Sequence, residues 1–132
     1  MSRFAPQLQS LLRVMAGLLY LEHGTQKLFQ FPPLSAEMAG AMAHVPEQAK
    51  MVLLAAAIIE IVTGPLIILG LFSRWAAFIA SGEMAVAFFV GHAAMRHSIF
   101  PAVNGGDGAV LFCFIFLFIW AAGPGSVAVN QK

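Results

Sequence analysis

Three ionisable side chains lie in the middle of apolar stretches, where a charge is costly. Glu60 interrupts residues 55–70 (AAAIIEIVTGPLIILG), and Glu83 and Arg13 lie within two further apolar stretches. A charge that faces lipid at the centre of a membrane helix costs about 2.5–3.5 kcal/mol or more. We therefore expect all three side chains to face the protein interior. The planar Arg13 guanidinium is expected to hold one of the two carboxylates with paired hydrogen bonds.

Proton transfer is the chemistry that this set predicts. At about 1.5 Å per helical residue, Glu60 and Glu83 lie roughly 15 and 18 Å from the same membrane face, and Glu22 roughly 12 Å from it. Two close carboxylates in a low-dielectric interior do not both ionise, so we expect one of them to hold a proton near neutral pH. We predict Glu60, Glu83 and Arg13 as the catalytic residues. The alternative is a structural ion-pair network that fixes helix register without chemistry.

A polar and glycine-rich stripe follows one side of the first predicted helix. Residues at the helical spacing of about 100° per position fall on this side. They are Arg13, Gly17, Tyr20, Gly24 and Lys27. The glycines allow a second helix to approach closely, and the polar residues then meet its charges. We predict that Tyr20 and Lys27 contact a ligand, and Glu22 points nearly the other way.

A second polar cluster is predicted within roughly 10 Å of the membrane face opposite the termini. Its members are His23, Lys27, His92, Arg96, His97, Asn104 and Asp107. Together with the midplane acids, the cluster outlines a polar path that opens on one side. We predict ligand contacts for His23, Lys27, His92, Asn104 and Asp107, with a helix N-terminal cap as the alternative for Asp107. Haem held by His23 and His92 is disfavoured because they lie at different depths, and no metal site is predicted.

The composition indicates a membrane protein. Of the 132 residues, 60% are hydrophobic and only 10% are charged, whereas soluble domains carry about a quarter charged residues. A membrane-spanning helix needs about 20 mostly apolar residues, and four windows fit: residues 8–29, 51–70, 75–94 and 104–122. The chain is therefore predicted as one all-α domain, residues 1–132, that forms a transmembrane four-helix bundle with up-down-up-down topology.

The segment between the first two spans predicts a short interfacial helix. Leu34, Met38, Met42 and Val45 recur at helical spacing after Ser35, a residue type that caps helix N-termini. Pro46 is expected in the first turn of the second span. A retained first helix is preferred to a signal peptide, because no small-residue cleavage site follows it.

Charge and cysteine content limit the partners. The net charge of +1 comes without a basic cluster, so nucleic acid is excluded as an expected partner, and the single Cys113 makes no internal disulfide. The lipid bilayer is the expected environment, and a homo-oligomer is left open. Positively charged residues are balanced between the two membrane faces, so their count does not determine the orientation. Our expectation is that both termini lie in the cytoplasm.

Several short motifs, in this order along the chain, resemble the DoxX family of small four-span bacterial membrane proteins. They are Arg13 with Gly17; His23-Gly24 with Lys27-Leu28; Glu60 with Gly64; Leu69-Gly70-Leu71 with Ser73-Arg74; Asn104-Gly105-Gly106-Asp107; and Gly123-Pro124-Gly125. The resemblance covers about residues 10–126. The resemblance implies a multi-pass protein of the bacterial inner membrane. Its expected role is in a quinone-linked oxidoreductase or in redox stress and detoxification.

The resemblance and the residues together give a specific functional hypothesis. Quinone reduction needs two electrons and two protons, and this chain offers proton carriers without an evident electron carrier. We therefore expect a subunit that binds a quinone beside an electron-donating redox partner protein. Glu60 and Glu83 would relay protons, and Arg13 or Lys27 would stabilise the quinone oxygen. The alternatives are a non-catalytic membrane scaffold or assembly subunit and, less favoured, a proton or solute conduit.

Overall fold

The computed structural model describes residues 3–132, and every regular element in that range is helical. The elements are α1 (Ala5–Phe29), α2 (Ala36–Ala43), α3 (Glu47–Leu69), α4 (Ser73–Val86), a π-helical segment (Ala87–Ala93), α5 (Ala94–Arg96), α6 (Pro101–Asn104) and α7 (Asp107–Ala122). The all-α prediction is confirmed. The four predicted windows each overlap a long helix, but α1, α3 and α4 begin two to four residues earlier than predicted and α7 begins three later.

The long helices pack as antiparallel neighbours. α1 packs along α3, α3 along α4 and α4 along α7, while α1 and α7 meet over a smaller contact. The direction follows from pairs of facing residues. Gly17 faces Ile68 and Gly24 faces Glu60 across α1 and α3, while Phe78 faces Trp120 and Ser81 faces Cys113 across α4 and α7. The core between them contains small residues and aromatic rings, with Tyr20, Phe112 and Phe116 in mutual ring contact.

Within residues 3–132, two helical segments have the length and apolarity required to cross a membrane. They are Glu47–Leu69 and Ser73–Arg96, the second comprising α4, the π-helical segment and α5. α7 is strongly apolar but has only 16 residues. α1 has 25 residues, but its charged and polar side chains lower its hydropathy below that of the two segments.

The predicted short helix between the first two spans is present as α2. Its N-cap is Ser35, whose hydroxyl accepts a hydrogen bond from the Met38 amide at 3.2 Å, as predicted. No residue of α2 is buried. Pro46 was expected inside the first turn of the next helix, but it is the N-cap residue of α3. The fixed φ of proline and its missing amide suit either position.

The C-terminal tail (residues 123–132) crosses one end of the helices. The Val129 and Asn130 amides donate to the Leu69 and Gly70 carbonyls at 3.0 Å each. The Val127 amide donates to the Ser10 hydroxyl at 2.9 Å. The tail therefore joins the beginning of α1 to the turn between α3 and α4, and it covers the end of the molecule opposite Lys27.

Candidate functional site

The centre of the candidate site is an ion pair between α1 and α3. The Lys27 ammonium lies 2.5 Å from Oε1 of Glu60, and the Glu60 side chain is fully buried while that of Lys27 is 27% exposed. The second carboxylate oxygen of Glu60 is buried and has no hydrogen-bond partner. A buried carboxylate oxygen without a partner is unusual in a folded protein and marks a place for a proton, a water molecule or a ligand.

Close packing at two glycines brings this pair together. A Cβ atom at Gly24 would lie 2.8 Å from the Cβ of Glu60, and one at Gly17 would lie 2.8 Å from Cγ1 of Ile68. Both distances are too short for real side chains. α3 can therefore approach α1 only because these positions lack side chains. The predicted stripe is confirmed as the face of α1 that packs on α3, and its cation Lys27 meets the charge of Glu60.

A second polar contact joins α1 to α4 deeper in the core. The Tyr20 hydroxyl donates to Oε2 of Glu83 at 3.1 Å, and the Tyr20 side chain is fully buried. Glu83 lies close enough to Glu60 and Lys27 for Coulombic interaction with both. The Thr63 hydroxyl also lies near the Tyr20 phenol. Polar groups from α1, α3 and α4 thus form a chain that runs from Lys27 into the core.

Arg13 does not belong to this chain, so its predicted pairing with a midplane carboxylate is wrong. Its guanidinium donates through Nη1 to the Pro124 carbonyl at 2.5 Å and through Nη2 to the Ile68 carbonyl at 3.2 Å. The Nε group is buried without a partner. Ile68 belongs to the last turn of α3 and Pro124 follows the end of α7, so the cation lies at the negative ends of two helix dipoles. These dipoles stabilise a buried charge that has no carboxylate beside it.

The second predicted cluster is brought together only in part. His92, in the π-helical segment, contacts the Asn104 carbonyl through Nδ1 at 3.2 Å. The Asn104 amide group donates to the Ser98 carbonyl at 2.9 Å and accepts from the Gly106 amide at 2.7 Å. Asn104 is therefore a buried support for the connection between α5 and α7. Its hydrogen bonds within that connection occupy both ends of its amide group.

The other members of the cluster lie at the surface. His23 is exposed, with one ring edge against Phe112, and Arg96 and His97 are exposed at the end of α5. Asp107 is also exposed. The alternative role of Asp107 as an N-terminal cap is met only in part, because Gly106 is the N-cap and Asp107 is the first residue of α7. Its carboxylate still lies beside the positive end of the helix dipole.

A groove of about 200 Å³ opens next to the ion pair. Two lysines, Lys27 and Lys50, are among its lining residues, and the apolar ones come from α1, α2 and α3: Leu28, Met42, Leu53, Leu54 and Ala57. Lys50 pairs with the exposed Glu47 at 2.6 Å. Lys27 therefore pairs with the buried Glu60 and is also one of the residues that line the groove. Within residues 3–132, no group of three or more His, Cys, Asp or Glu side chains is placed to hold a metal ion.

Sequence reasoning missed two features of this region. The first is that Lys27, placed in the outer cluster, is the partner of Glu60; the length and flexibility of its side chain allow it to reach inward. The second is which groups Arg74, interpreted from the sequence as a loop anchor, contacts: its Nη1 donates to the Trp120 and Ala121 carbonyls at 2.8 and 2.9 Å. The sequence does not show which backbone carbonyls at helix C-termini lack a hydrogen-bond donor. The acceptors of Arg13 and Arg74 could therefore not be predicted without coordinates.

The buried Glu60 and the half-buried Glu83 lie on neighbouring apolar helical segments, and both segments are long and apolar enough to cross a membrane. The DoxX family model matches residues 8–93, and the chain belongs to the DoxX family. An uncharacterized protein from Haemophilus influenzae is 38% identical over 133 aligned positions, which cover 100% of this chain and 95% of the relative. No solved structure matches the chain significantly.

Proposed function

We propose that the protein is a four-span component of a quinone-linked oxidoreductase or redox-stress system in the bacterial inner membrane. In this proposal α1, α3, the Ser73–Arg96 segment and α7 each cross the bilayer, α2 lies in the interface, and both termini are cytoplasmic. Membership of the DoxX family and the two long apolar segments support the membrane location. The antiparallel packing of successive long helices is what an up-down-up-down bundle requires.

One observation supports the proposed location of the quinone site. The fully buried Glu60 carboxylate is paired with the Lys27 ammonium, and Lys27 is also one of the residues that line an apolar groove. A ring oxygen of a quinone bound in this groove would lie near a cation, and its hydrophobic tail could lie along the apolar wall. Ligand sites of this kind are mostly apolar, with a few polar groups that fix orientation.

The proposed chemistry is reduction of the quinone to the hydroquinone. A redox partner protein supplies two electrons, because this chain offers proton carriers and no evident electron carrier. Negative charge develops on the quinone oxygens, where the Lys27 ammonium stabilises it. Two protons then reach these oxygens from the chain formed by Lys27, Glu60 and Glu83. Arg13, enclosed beneath the tail, has no part in this scheme.

The test is whether the purified protein holds a quinone at this groove. Protein isolated in mild detergent should contain a quinone, detected by mass spectrometry of its organic extract, and should bind an added short-chain quinone saturably. Lys27→Met should lose both properties, whereas Arg96→Met, which removes an exposed cation outside the groove, should keep them. Absence of quinone from the extract together with no saturable binding would refute the proposal.

Turnover gives a second and independent check. With the electron-donating partner present, Glu60→Gln should abolish quinone reduction while the protein still folds, because the amide keeps a hydrogen bond to Lys27 but carries no transferable proton. Full turnover in Glu60→Gln would remove this residue from the mechanism.

A non-catalytic scaffold is the second candidate. The observation that favours it is that the Lys27–Glu60 pair joins α1 to α3 beside Gly24, one of the two glycines at which these helices pack closely. A purely structural pair predicts that Lys27→Met lowers stability and that neither the wild type nor the variant binds quinone. The quinone-binding measurement therefore separates the two functions.

A further inference from the structure

Glu22 is a carboxylate on the outer face of α1. It is exposed, and no hydrogen bond or ion pair reaches its side chain from the described part of the chain. It lies five residues, about 7.5 Å, from the middle of a helix about 37 Å long. A hydrocarbon core about 30 Å thick would include it. Glu22 interacts electrostatically with the adjacent His23 of its own chain, but no hydrogen bond joins the two within the described residues. If α1 crosses the membrane as proposed, a hydrogen-bond partner for this carboxylate has to come from a second protein molecule, since lipid tails supply none.

The residues around Glu22 form a heptad stripe. Side chains alternate at spacings of four and three residues along the outer face of α1, as the a and d positions of a coiled coil do. They are Leu8, Leu12, Met15, Leu19, Glu22 and Gln26. Met15 and Leu19 in the middle of the stripe are each 48% exposed. The stripe lies away from the glycine face that packs on α3, and its members are exposed except Gln26, whose amide donates to the Pro32 carbonyl at 3.3 Å.

Glu22 on the stripe and His23 beside it indicate that the stripe packs against a second copy of this chain. In a parallel coiled coil, a side chain at d inserts into a hole whose walls include the d and e residues of the facing helix. Glu22 is at d and His23 is the following e residue, so Glu22 of one copy would meet His23 of another. His23 is exposed and differs in depth from Glu22 by only one residue. Copies inserted in the same orientation place these residues at equal depth, and a two-fold axis forms the contact twice.

We propose that two copies of this chain form a parallel dimer through the outer face of α1, with reciprocal Glu22–His23 hydrogen bonds across the interface. This inference rests on the proposal that α1 crosses the membrane, but it is independent of the quinone. It explains why a carboxylate occupies an outward position among leucines. A polar pair at one level of an apolar seam also fixes register and the number of helices.

Cysteine cross-linking in native membranes tests the geometry. In a Cys113→Ala background, Met15→Cys should form a disulfide-linked dimer on mild oxidation. Ile58→Cys, on an exposed position of α3, should not. The introduced thiol at position 15 should also be protected from a membrane-impermeant maleimide. Protection without cross-linking would overturn the dimer alone, whereas free labelling would overturn both the membrane crossing of α1 and the dimer.

A double-mutant cycle tests the named pair. Glu22→Leu and His23→Leu should each lower the dimer association constant in detergent or bilayers about threefold to thirtyfold, the range for one or two interhelical hydrogen bonds. The double variant should lose no more than the larger single loss, because both changes remove the same contact. Additive losses, or none, would contradict the pairing.

Discussion

The Lys27 ammonium reaches 2.5 Å from the carboxylate of Glu60, from a position on α1 that lies one helical turn beyond Gly24. Gly24 allows the backbones to approach, and the flexible lysine side chain spans the remaining distance. The pair therefore depends on packing as much as on charge. This pair, the packing at Gly24 and the hydrogen bonds of Arg13 are each expected to contribute to stability, and the C-terminal tail is expected to protect a turn.

Removing the Lys27 cation should lower the free energy of unfolding more than neutralising the Glu60 carboxylate. Lys27→Met leaves the fully buried Glu60 carboxylate without its counter-charge, and we expect a loss of about 3 kcal/mol in the free energy of unfolding. Glu60→Gln should cost less, because the amide still accepts a hydrogen bond from Lys27, and the lysine side chain can also extend to the membrane interface. Denaturant titration in detergent measures both values. The reverse order would contradict the burial of Glu60.

Gly24 and Gly82, which both lie within helices, allow the effect of close packing on stability to be compared in two Gly→Ala variants. Gly24→Ala should destabilise the protein by about 1–3 kcal/mol, because the new methyl group would overlap Glu60 and the neighbouring Ile61. Gly82→Ala, in α4, has no atom within 4 Å of the new Cβ, and it should be neutral or stabilising by up to about 1 kcal/mol. Thermal unfolding of the two variants in the same detergent compares them. Equal effects would show that α1 and α3 do not approach closely at Gly24.

The contribution of Arg13 to stability should depend on the forked shape of its guanidinium group and not on charge alone. Arg13→Lys keeps the charge but cannot present two donors in a fixed fork to the Ile68 and Pro124 carbonyls, so we expect a loss of about 1–3 kcal/mol from one unsatisfied buried carbonyl. Arg96→Lys, at an exposed position, serves as the control and should change stability by less than about 0.5 kcal/mol. Quinone binding should survive in both variants. Loss of quinone binding in Arg13→Lys at unchanged stability would place this residue in the ligand site.

The tail should protect the turn between α3 and α4. Oδ1 of Asn130 accepts a hydrogen bond from the Phe72 amide at 3.0 Å. Asn130→Ala removes this acceptor, so hydrogen exchange at the Phe72 amide should accelerate about fivefold, corresponding to a net loss of about 1 kcal/mol. Val129→Ala keeps its backbone bond to Leu69 and should leave the exchange rate unchanged. Equal rates in both variants and the wild type would mean that the tail does not hold the turn.

Helix content and the packing face of α1 were accessible from the sequence. Apolar windows of sufficient length predict helices, and the positions of Gly17, Gly24 and Lys27 predict which side of α1 meets α3, since these properties depend on local periodicity. The N-cap at Ser35 followed from the same local reasoning. Helix boundaries were less accurate, and the π-helical segment Ala87–Ala93 was not predicted, because no residue pattern distinguishes it from an α-helix.

Partner choice among the charges was decided only by the tertiary structure. Composition and depth placed Arg13, Glu60 and Glu83 inside apolar helices, and the structure places Arg13 and Glu60 in the buried interior and Glu83 in contact with the buried Tyr20. Depth alone could not decide that Lys27 binds Glu60 while Arg13 binds backbone carbonyls. Side-chain length, helix rotation and the carbonyl groups left open at helix ends decide those contacts, and each depends on how the helices pack. The sequence by itself therefore determined which groups had to be buried, and packing determined which groups they contact.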